Sequence, residues 1–273
     1  MKINVFWFRR DLRLEDNAAL NEASSSDLPV MPVFIFDTNI TDDLAGDDAR
    51  ISFIYNNLAS INDILKRSGS SINVLKGKPD DILKRLSESF DLDTVYVNRD
   101  YEPYATRRDS LIRNLLAKKD IKFLTYKDQV IFEEKEILKP DNTPYTVFTA
   151  YKNRWMKLLG KEVTGSLKPA DHKRNNFLKS DFHFPSLDDL GFSESPVRVK
   201  PYDLSVIPDY NKFRDIPAAD RTSYLSPYLR FGTISIRKLV RAALEQNQTF
   251  LNELIWREFF MQILYNFPGV VTN

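Results

Sequence analysis

The sequence predicts an α/β fold with a doubly wound, parallel, five-stranded sheet, followed by the start of an all-α domain. Over the first half of the chain, short apolar runs rich in β-branched and aromatic residues alternate with longer amphipathic stretches. Such alternation is typical of parallel strands joined by crossover helices. From Tyr210 onward the apolar spacing is helical. These two patterns place a sheet domain first and a helical domain second.

Five strands and four helices are predicted in the first half. The strands are expected at Ile3–Phe8, 30–36, 72–75, 94–97 and 121–124. The helices are expected at 17–24, 49–66, 79–90 and 103–119. Pro79 and Pro103 stand at the first helical position, where proline is tolerated. Asp16 is the predicted cap of the first helix.

The chain divides into three parts by composition. Residues 1–158 form the predicted sheet domain, since a further helix begins between Tyr145 and Trp155. Residues 159–208 are rich in Pro, Asp, Ser and Lys with weak periodicity, which indicates an interdomain linker. Residues 209–273 are predicted as an incomplete helical domain, with helical segments at 210–220, 235–246 and from 250.

Composition excludes several classes of protein. With 273 residues and 42% hydrophobic residues the chain is globular. No apolar run reaches membrane-spanning length and the first residues read as a strand, so a cytoplasmic protein without membrane contact is expected. The absence of cysteine excludes disulfides, thiolate metal sites and cysteine nucleophiles.

The two histidines and the net charge give no sign of a metal site or of a generally basic surface. His172 and His183 lie in the linker without metal-ligand spacing, so no metal is predicted. The net charge is only +1, so any binding of nucleic acid must come from a local arrangement of Lys and Arg.

Arginine-rich loops follow two predicted strands. The segments 8–11 (FRRD) and 98–101 (NRDY) come at carboxyl ends of strands, where ligands bind on such sheets. There is no Gly-x-Gly-x-x-Gly and no Walker loop, so a dinucleotide or ATP site of the usual kind is not indicated. A structural, salt-bridging role is the favoured interpretation for Arg9, Arg10 and Arg13.

A turn rich in hydroxyl groups precedes the last helices. Thr222, Ser223 and Ser226 place three hydroxyls within five residues, where a new helix begins. Backbone N–H groups at a helix start, together with hydroxyls, suit a diphosphate. The alternative is that one hydroxyl caps the helix and the others belong to the turn.

The last predicted helix combines polar and aromatic groups on one face. Glu253, Trp256, Arg257 and Phe260 follow helical spacing, while Leu251, Ile255 and Phe259 lie on the opposite face. A carboxylate, an indole and a guanidinium suit a planar, polar ligand such as a base or a flavin. The alternative is an ordinary helix with a buried Trp and a Glu253–Arg257 pair worth only about 0.2–0.5 kcal/mol.

Three segments together resemble the DNA photolyase/cryptochrome family. They are 5–17 (VFWFRRDLRLEDN), 221–232 (RTSYLSPYLRFG) and 252–260 (NELIWREFF), and they occur in the family's order. The resemblance implies light-dependent repair of cyclobutane pyrimidine dimers in DNA, by a deoxyribodipyrimidine photo-lyase that transfers an electron from excited reduced FAD. The alternative is a cryptochrome-type blue-light receptor with the same fold and flavin.

The resemblance also implies roles for particular residues. FAD contacts are expected from Tyr210, twelve residues before Thr222, and from Thr222, Ser223, Tyr224, Leu225 and Ser226. Arg214, Glu253, Trp256 and Arg257 match DNA-binding positions, and Glu253 and Trp256 match the pocket that receives the flipped dimer, so these two are the predicted catalytic residues. UV-damaged DNA is the implied partner, and no obligate protein partner is evident.

Two departures from the family pattern set further expectations. Many relatives bind a second antenna chromophore, a deazaflavin or a folate, but Tyr104-Ala105 replaces the Asn-Glu pair of folate-binding relatives. Glu102, just before them, is a further candidate for the antenna cleft. Relatives also continue well past the position matching Asn273. On this basis the chain corresponds to the amino-terminal part of the family pattern, and we expect it to bind FAD weakly or not at all and to be inactive alone.

Overall fold

A computed structural model describes residues 1–166 and 176–272, the side chains of 161–166 excepted. Its centre is a five-stranded parallel sheet in the order β3-β2-β1-β4-β5, which confirms the predicted α/β fold. The strands are β1 Ile3–Phe8, β2 Val30–Asp37, β3 Asn73–Gly77, β4 Leu92–Asn98 and β5 Lys122–Tyr126. All five lie within three residues of their predicted limits, because buried parallel strands are short, continuous apolar runs.

The central strand β1 is buried on both faces. Phe6 and Phe8 point into one apolar core, and Val5 and Trp7 point into the other. Side chains alternate across a strand, so each face contributes every second residue. In the sheet, β2 and β3 lie on one side of β1, and β4 and β5 lie on the other. The strand order thus reverses at β1, and a cleft can open there at the carboxyl ends of the strands.

Ten α-helices are found among the described residues. Those of the sheet domain are α1 Ala18–Ser25, α2 Thr38–Thr41, α3 Ala49–Arg67, α4 Pro79–Ser89 and α5 Pro103–Ala117. The first cap was predicted wrongly: Asn17, not Asp16, accepts the Leu20 N–H. Asp16 adopts φ 47° and takes part in an interdomain ion pair instead. None of the described helices is long and apolar enough to cross a bilayer.

The helical part is built around three long helices. Its helices are α6 Phe148–Ser166, α7 Tyr210–Phe213, α8 Ser226–Arg230, α9 Ile236–Gln246 and α10 Gln248–Asn266. Side chains of α6, α9 and α10 share one apolar core. The expected helix through 220 is wrong: after α7 only a 3-10 turn at Pro217–Ala219 follows, and Asp220 is left-handed.

The predicted linker lies against the sheet domain from residue 176. Val30 N–H donates to the Asn176 carbonyl and Leu178 N–H donates to the Val30 carbonyl, both at 2.8 Å. Leu190 and Phe192 are buried in a core of the sheet domain. The segment thus has little regular structure but is packed. His183 is exposed, whereas His172 lies outside the described residues; the limits 158 and 208 stay a prediction.

Candidate functional site

The hydroxyl turn ends where α8 begins, as the sequence predicted. Leu225 is buried in the helical core, and Ser226 is the first residue of α8. The hydroxyls of Thr222, Ser223 and Ser226 form no hydrogen bond within the described residues. They are therefore available as donors to a ligand. Helix α8 has only five residues, so its dipole is small.

Tyr224 is fixed within the same turn. It adopts φ 52°, and its hydroxyl bonds to the Asp220 carboxylate and accepts from Lys200 Nζ at 2.8 Å. The Lys200 ammonium also lies 4.6 Å from the centroid of the Tyr224 ring. These contacts with Asp220 and Lys200 fix the Tyr224 side chain within the turn. Tyr224 is therefore engaged by protein groups, unlike the three hydroxyl residues beside it.

Tyr210, Arg214 and Glu253 form one cluster between α7 and α10. The Arg214 guanidinium lies 5.4 Å from the centre of the Tyr210 ring and donates to Glu253 at 2.5 Å. Tyr210 also packs edge-on against Phe250 at 5.1 Å. Within the described residues Glu253 pairs with Arg214 and forms no salt bridge with Arg257, which donates to the Gln129 carbonyl instead. Both charged side chains keep about a third of their surface exposed, 33% and 35%.

Trp256 lies beside this cluster and is half-buried. The Phe148 ring stacks on the indole with centroids 3.6 Å apart and planes 8° from parallel. Phe260, at 5.4 Å, is 60% exposed. One face of the indole is thus already covered by an aromatic ring. Phe260 is also near-parallel to the indole, at 23°, so a further ring would stack on Trp256 only where these two rings leave it open or after one of them moves.

Arg257 points away from Trp256, toward the sheet domain. It donates to the Gln129 carbonyl at 2.8 Å. Burial and the neighbouring Arg10 lower its pKa to about 10. Among the predicted site residues, the structure therefore brings together Tyr210, Arg214, Glu253 and Trp256, whereas Arg257 lies at the domain interface.

A cleft of about 510 Å³ opens at the carboxyl ends of β1, β2 and β4. Its walls are apolar and aromatic, with Phe36 and Phe231 among them, and Arg108 and Arg230 are among its charged groups. Tyr104 and Ala105 both line it, as does Glu102, the residue suggested by the sequence. Such a mixture suits a flat aromatic ligand with polar edges.

Hydrogen bonds fix the polar groups of this cleft. Tyr104 donates to Asp37 and accepts from Asn39 at 3.1 Å. Burial, together with the Asp37 carboxylate, raises the pKa of Tyr104 to about 12, so it stays a phenol at neutral pH. Glu102 accepts from Arg10 at 2.7 Å and also from Arg230, the last residue of α8. One wall of the cleft is thus tied to the helical part.

Comparison with known proteins agrees with this geometry. The sequence model described as DNA photolyase matches residues 4–170. The chain belongs to the DNA photolyase family. It is 30% identical to the deoxyribodipyrimidine photo-lyase of Halobacterium salinarum, over 99% of this chain and 63% of that protein.

Two solved structures of the family are similar over nearly the whole chain. A class III photolyase from Agrobacterium tumefaciens superposes with a TM-score of 0.82 at 26% identity, covering 99% of this chain and 60% of that one. A photolyase from Sulfolobus tokodaii, described with two FAD molecules and a novel light-harvesting cofactor, gives 0.74 at 31%, covering 99% and 61%. The chain thus spans about three fifths of these photolyases.

Buried ion pairs join the two parts of this photolyase-family chain. Asp128 accepts from Arg13 at 2.6 Å and from Arg237 at 2.8 Å, and Arg237 also donates to Asp16 at 2.8 Å. Arg9 donates to both oxygens of Asp109 at 2.7 Å. Arg9 and Arg13 form the salt bridges that the structural interpretation predicted, although Arg9 also lines the cleft. Arg10 also forms salt bridges, although it lines the cleft as well.

Sequence reasoning missed Glu258, a buried carboxylate on α10. It accepts from the N–H groups of Ile131 and Phe132 at 2.6 and 3.2 Å, from Trp155 Nε1 at 2.7 Å and from the Tyr151 hydroxyl at 3.2 Å. The available signal was its place on the apolar face, seven residues after Leu251. No cluster of metal-ligating side chains occurs among the described residues.

Proposed function

We propose that this sequence carries part of the DNA- and flavin-binding site of an enzyme that repairs cyclobutane pyrimidine dimers in light. Family membership and the photo-lyase names of its relatives support the proposal. The observation that carries it is the position of Trp256 beside Glu253 on α10. Both side chains are only partly buried, and Glu253 is hydrogen-bonded to Arg214 while Trp256 stacks on Phe148.

These two residues suit a flipped pyrimidine dimer. Stacking of a base on an indole contributes about 1–3 kcal/mol, and a dimer is extruded easily because it stacks poorly in the duplex. The Glu253 carboxylate can accept from the N–H edge of a pyrimidine. Arg214 holds that carboxylate in place and has further N–H groups for a DNA phosphate.

The turn before α8 is the proposed site for the phosphates of FAD. Three hydroxyls of this turn have no hydrogen-bond partner among the described residues: those of Thr222, Ser223 and Ser226. The ring of Tyr210, on α7, packs edge-on against Phe250. Tyr224 and Leu225 shape the turn, the first through Asp220 and Lys200, the second by burial. Reduced FAD, when bound and excited by light, supplies the electron that opens the cyclobutane ring.

The cleft beside the sheet is the proposed site of a second, light-harvesting chromophore. Its volume of about 510 Å³ accommodates a flat ring system. Arg108 and Arg230 are placed for an anionic edge or tail. The Sulfolobus tokodaii photolyase, with its two FAD molecules, gives a precedent for a flavin of this kind.

Substitution of Glu253 tests the DNA part of the proposal. In Glu253→Gln the acceptor for the dimer is weakened and Arg214 loses its carboxylate partner. We expect the preference for dimer-containing over undamaged duplex, measured in the dark by fluorescence anisotropy, to fall about tenfold, a loss of about 1.4 kcal/mol. Glu245→Gln, exposed on α9, is the control. An unchanged preference in Glu253→Gln contradicts the proposal and favours a receptor of the cryptochrome type.

Substitution of the hydroxyls tests the flavin part. The double variant Thr222→Val/Ser226→Ala removes two donors without touching the core. The chain alone is expected to bind FAD weakly, so binding is measured at equilibrium by titration with FAD and flavin fluorescence, and we expect the affinity of the double variant to be about tenfold or more below that of the unmodified chain. Ser193→Ala, an exposed hydroxyl elsewhere, is the control. Equal FAD binding by both variants would place the phosphates at another site.

A further inference from the structure

A second polar pocket lies between the loop after β5 and helix α6. Its volume is about 470 Å³. Its lining residues come from the loop and from one position of α6: Lys135, Glu136, Leu138, Lys139, Pro140, Asn142, Tyr145 and Arg154. Three of these are cations and one is an acid, so the pocket carries excess positive charge. It is distinct from the cleft at the strand ends and from the face of Trp256.

The single carboxylate of the pocket is already neutralised. Glu136 accepts from Lys127 Nζ at 2.9 and 2.7 Å and from the Glu133 N–H at 2.6 Å. Within the described residues, neither Lys135 nor Lys139 forms a salt bridge. The two lysines thus have no salt-bridge partner in the described part of the chain, although Asp141 lies near enough to Lys139 to interact with its charge.

Arg154 is the one cation of the pocket that comes from α6, and it is half-buried. Its Nε is buried and has no hydrogen-bond partner among the described residues. A buried N–H without a partner costs about 1–3 kcal/mol, and buried polar groups are normally satisfied. An anion bound by the guanidinium from the pocket would supply the missing acceptor once the side chain turns its Nε toward the pocket. This orphan donor is what separates the pocket from an ordinary patch of surface lysines.

Backbone hydrogen bonds stabilise the turn that carries Lys139 and Asn142. The Lys139 N–H donates to the Thr143 carbonyl, and the Asn142 N–H donates to the Lys139 carbonyl, both at 2.9 Å. Leu138 and Pro144 pair as an antiparallel bridge, and Asn142 adopts the left-handed conformation with φ 63°. Ordering Lys139 on binding therefore costs mainly side-chain entropy.

We propose that this pocket binds a phosphate group, and that the phosphate belongs to the DNA backbone. Guanidinium and ammonium donors without competing acceptors are the chemistry that recognises phosphate. The same helix carries Phe148, the ring stacked on Trp256, six residues before Arg154. Six residues span about 9 Å along the helix axis. Since successive nucleotides rise about 3.4 Å, this length along α6 corresponds to roughly two to three nucleotide steps. Only the identity of the partner as DNA rests on the proposed function.

The test is the salt dependence of DNA binding by a double variant. Arg154→Gln/Lys139→Gln removes two cations of the pocket, and Arg67→Gln/Lys118→Gln removes two exposed cations from α3 and the end of α5 as a matched control. Binding of a labelled duplex, with and without a dimer, is measured from 0.05 to 0.2 M salt. We expect about tenfold weaker binding of both duplexes at roughly 0.1 M salt, and a log–log salt slope smaller by about one to two. The control keeps the slope of the unmodified protein.

Titration with inorganic phosphate separates the sources of the ligand. If the unmodified protein binds phosphate, the double variant does not, and both bind DNA equally, the pocket takes a free phosphate compound and the assignment to DNA is overturned. If neither DNA binding nor phosphate binding changes, the whole inference is overturned. If the unmodified protein binds no DNA, the proposed function fails. The phosphate titration still shows whether the pocket binds a phosphate group. Lys139→Gln alone replaces the double variant should that variant melt early.

Discussion

Glu258 is a carboxylate in the middle of the helical core, 2% exposed. Its four donors come from the loop after β5 and from α6, so one side chain joins three segments. Burial raises its pKa to about 7, although the four hydrogen bonds favour the charged form. Trp256 and Arg257 precede it directly on α10. Glu258 therefore fixes the rotation of the helix that presents the proposed dimer site.

Stability should fall as the pH rises through the titration of Glu258. Between the ordinary pKa of 4.5 and the folded value of about 7, the folded protein holds more of the proton than the unfolded chain. Stability then decreases with rising pH, by at most about 1.4 kcal/mol per pH unit from this group. Urea unfolding from pH 5 to 8 measures the effect. Glu258→Gln should remove that part of the slope, whereas Glu245→Gln should keep it; equal slopes in the two variants would contradict the account.

At the residue scale, the sequence predicted which side chains matter on α10 better than it predicted their partners. Glu253, Trp256 and Phe260 share the open face because helical spacing alone decides that. The partner of Glu253 is Arg214, 39 positions away, and the partner of Arg257 is the Gln129 carbonyl. Contacts of this range depend on how α7 and the β5 loop dock. Local periodicity contains no information about that docking.

Gly232 determines how the segment between α8 and α9 approaches the sheet domain. It adopts φ 63°, and a Cβ built on it would lie 2.1 Å from the Arg10 carbonyl and 2.7 Å from Asp11 Cα. The Leu12 N–H donates to the Phe231 carbonyl at 3.0 Å in the same region. This close contact places α8, and the hydroxyl turn before it, against the loop after β1.

Replacing Gly232 should therefore be costly. Gly232→Ala adds a methyl group where backbone atoms already lie and in a conformation that L side chains rarely adopt. We expect a loss of about 2–4 kcal/mol in the free energy of unfolding, together with weaker FAD binding because α8 moves. Gly46→Ala, where a Cβ meets nothing within 4 Å, is the control and should cost less than about 1 kcal/mol. Equal melting temperatures of the two variants would contradict the close packing of Gly232 against the backbone of Arg10 and Asp11.

At the element scale, apolar runs and prolines were reliable signals and caps were not. Helix α4 begins at Pro79 and α5 at Pro103 as predicted, because proline restricts where a helix starts. The cap of α1 moved by one residue to Asn17, since Asp16 is drawn into a contact with Arg237. The helix expected through 220 broke after Phe213, where Pro217 and the left-handed Asp220 interrupt it. Tertiary contacts override local preference at such positions.

The two parts of the molecule are held together by a buried network of charges. Asp128, in the loop after β5, forms salt bridges with Arg13 in the loop after β1 and with Arg237 on α9. Arg237 bridges the carboxylates of Asp16 and Asp128. Burial works against these charges, but the paired guanidinium groups hold the pKa of Asp128 below its ordinary value. None of these long-range pairs was evident from the sequence.

Removing Arg237 should weaken the joint between the two parts. Arg237→Met takes the guanidinium away from the buried carboxylates of Asp16 and Asp128, and breaking a buried pair in this way costs about 3–5 kcal/mol. Thermal unfolding should then occur at a lower temperature and separate into two steps. Arg198→Met breaks only an exposed i,i+4 pair with Glu194 and should cost about 0–1 kcal/mol. A single transition at an unchanged temperature would show that the network does not join the domains.

The most direct test of the account is the dimer preference of Trp256→Ala. Affinities for dimer-containing and undamaged duplexes are measured in the dark, beside the control Phe267→Ala, an aromatic residue 40% exposed at the end of the same helix. Loss of stacking should lower the preference for the dimer roughly five- to hundredfold, with little change on undamaged DNA. A preference that survives in Trp256→Ala, or falls equally in Phe267→Ala, would contradict a dimer site on α10.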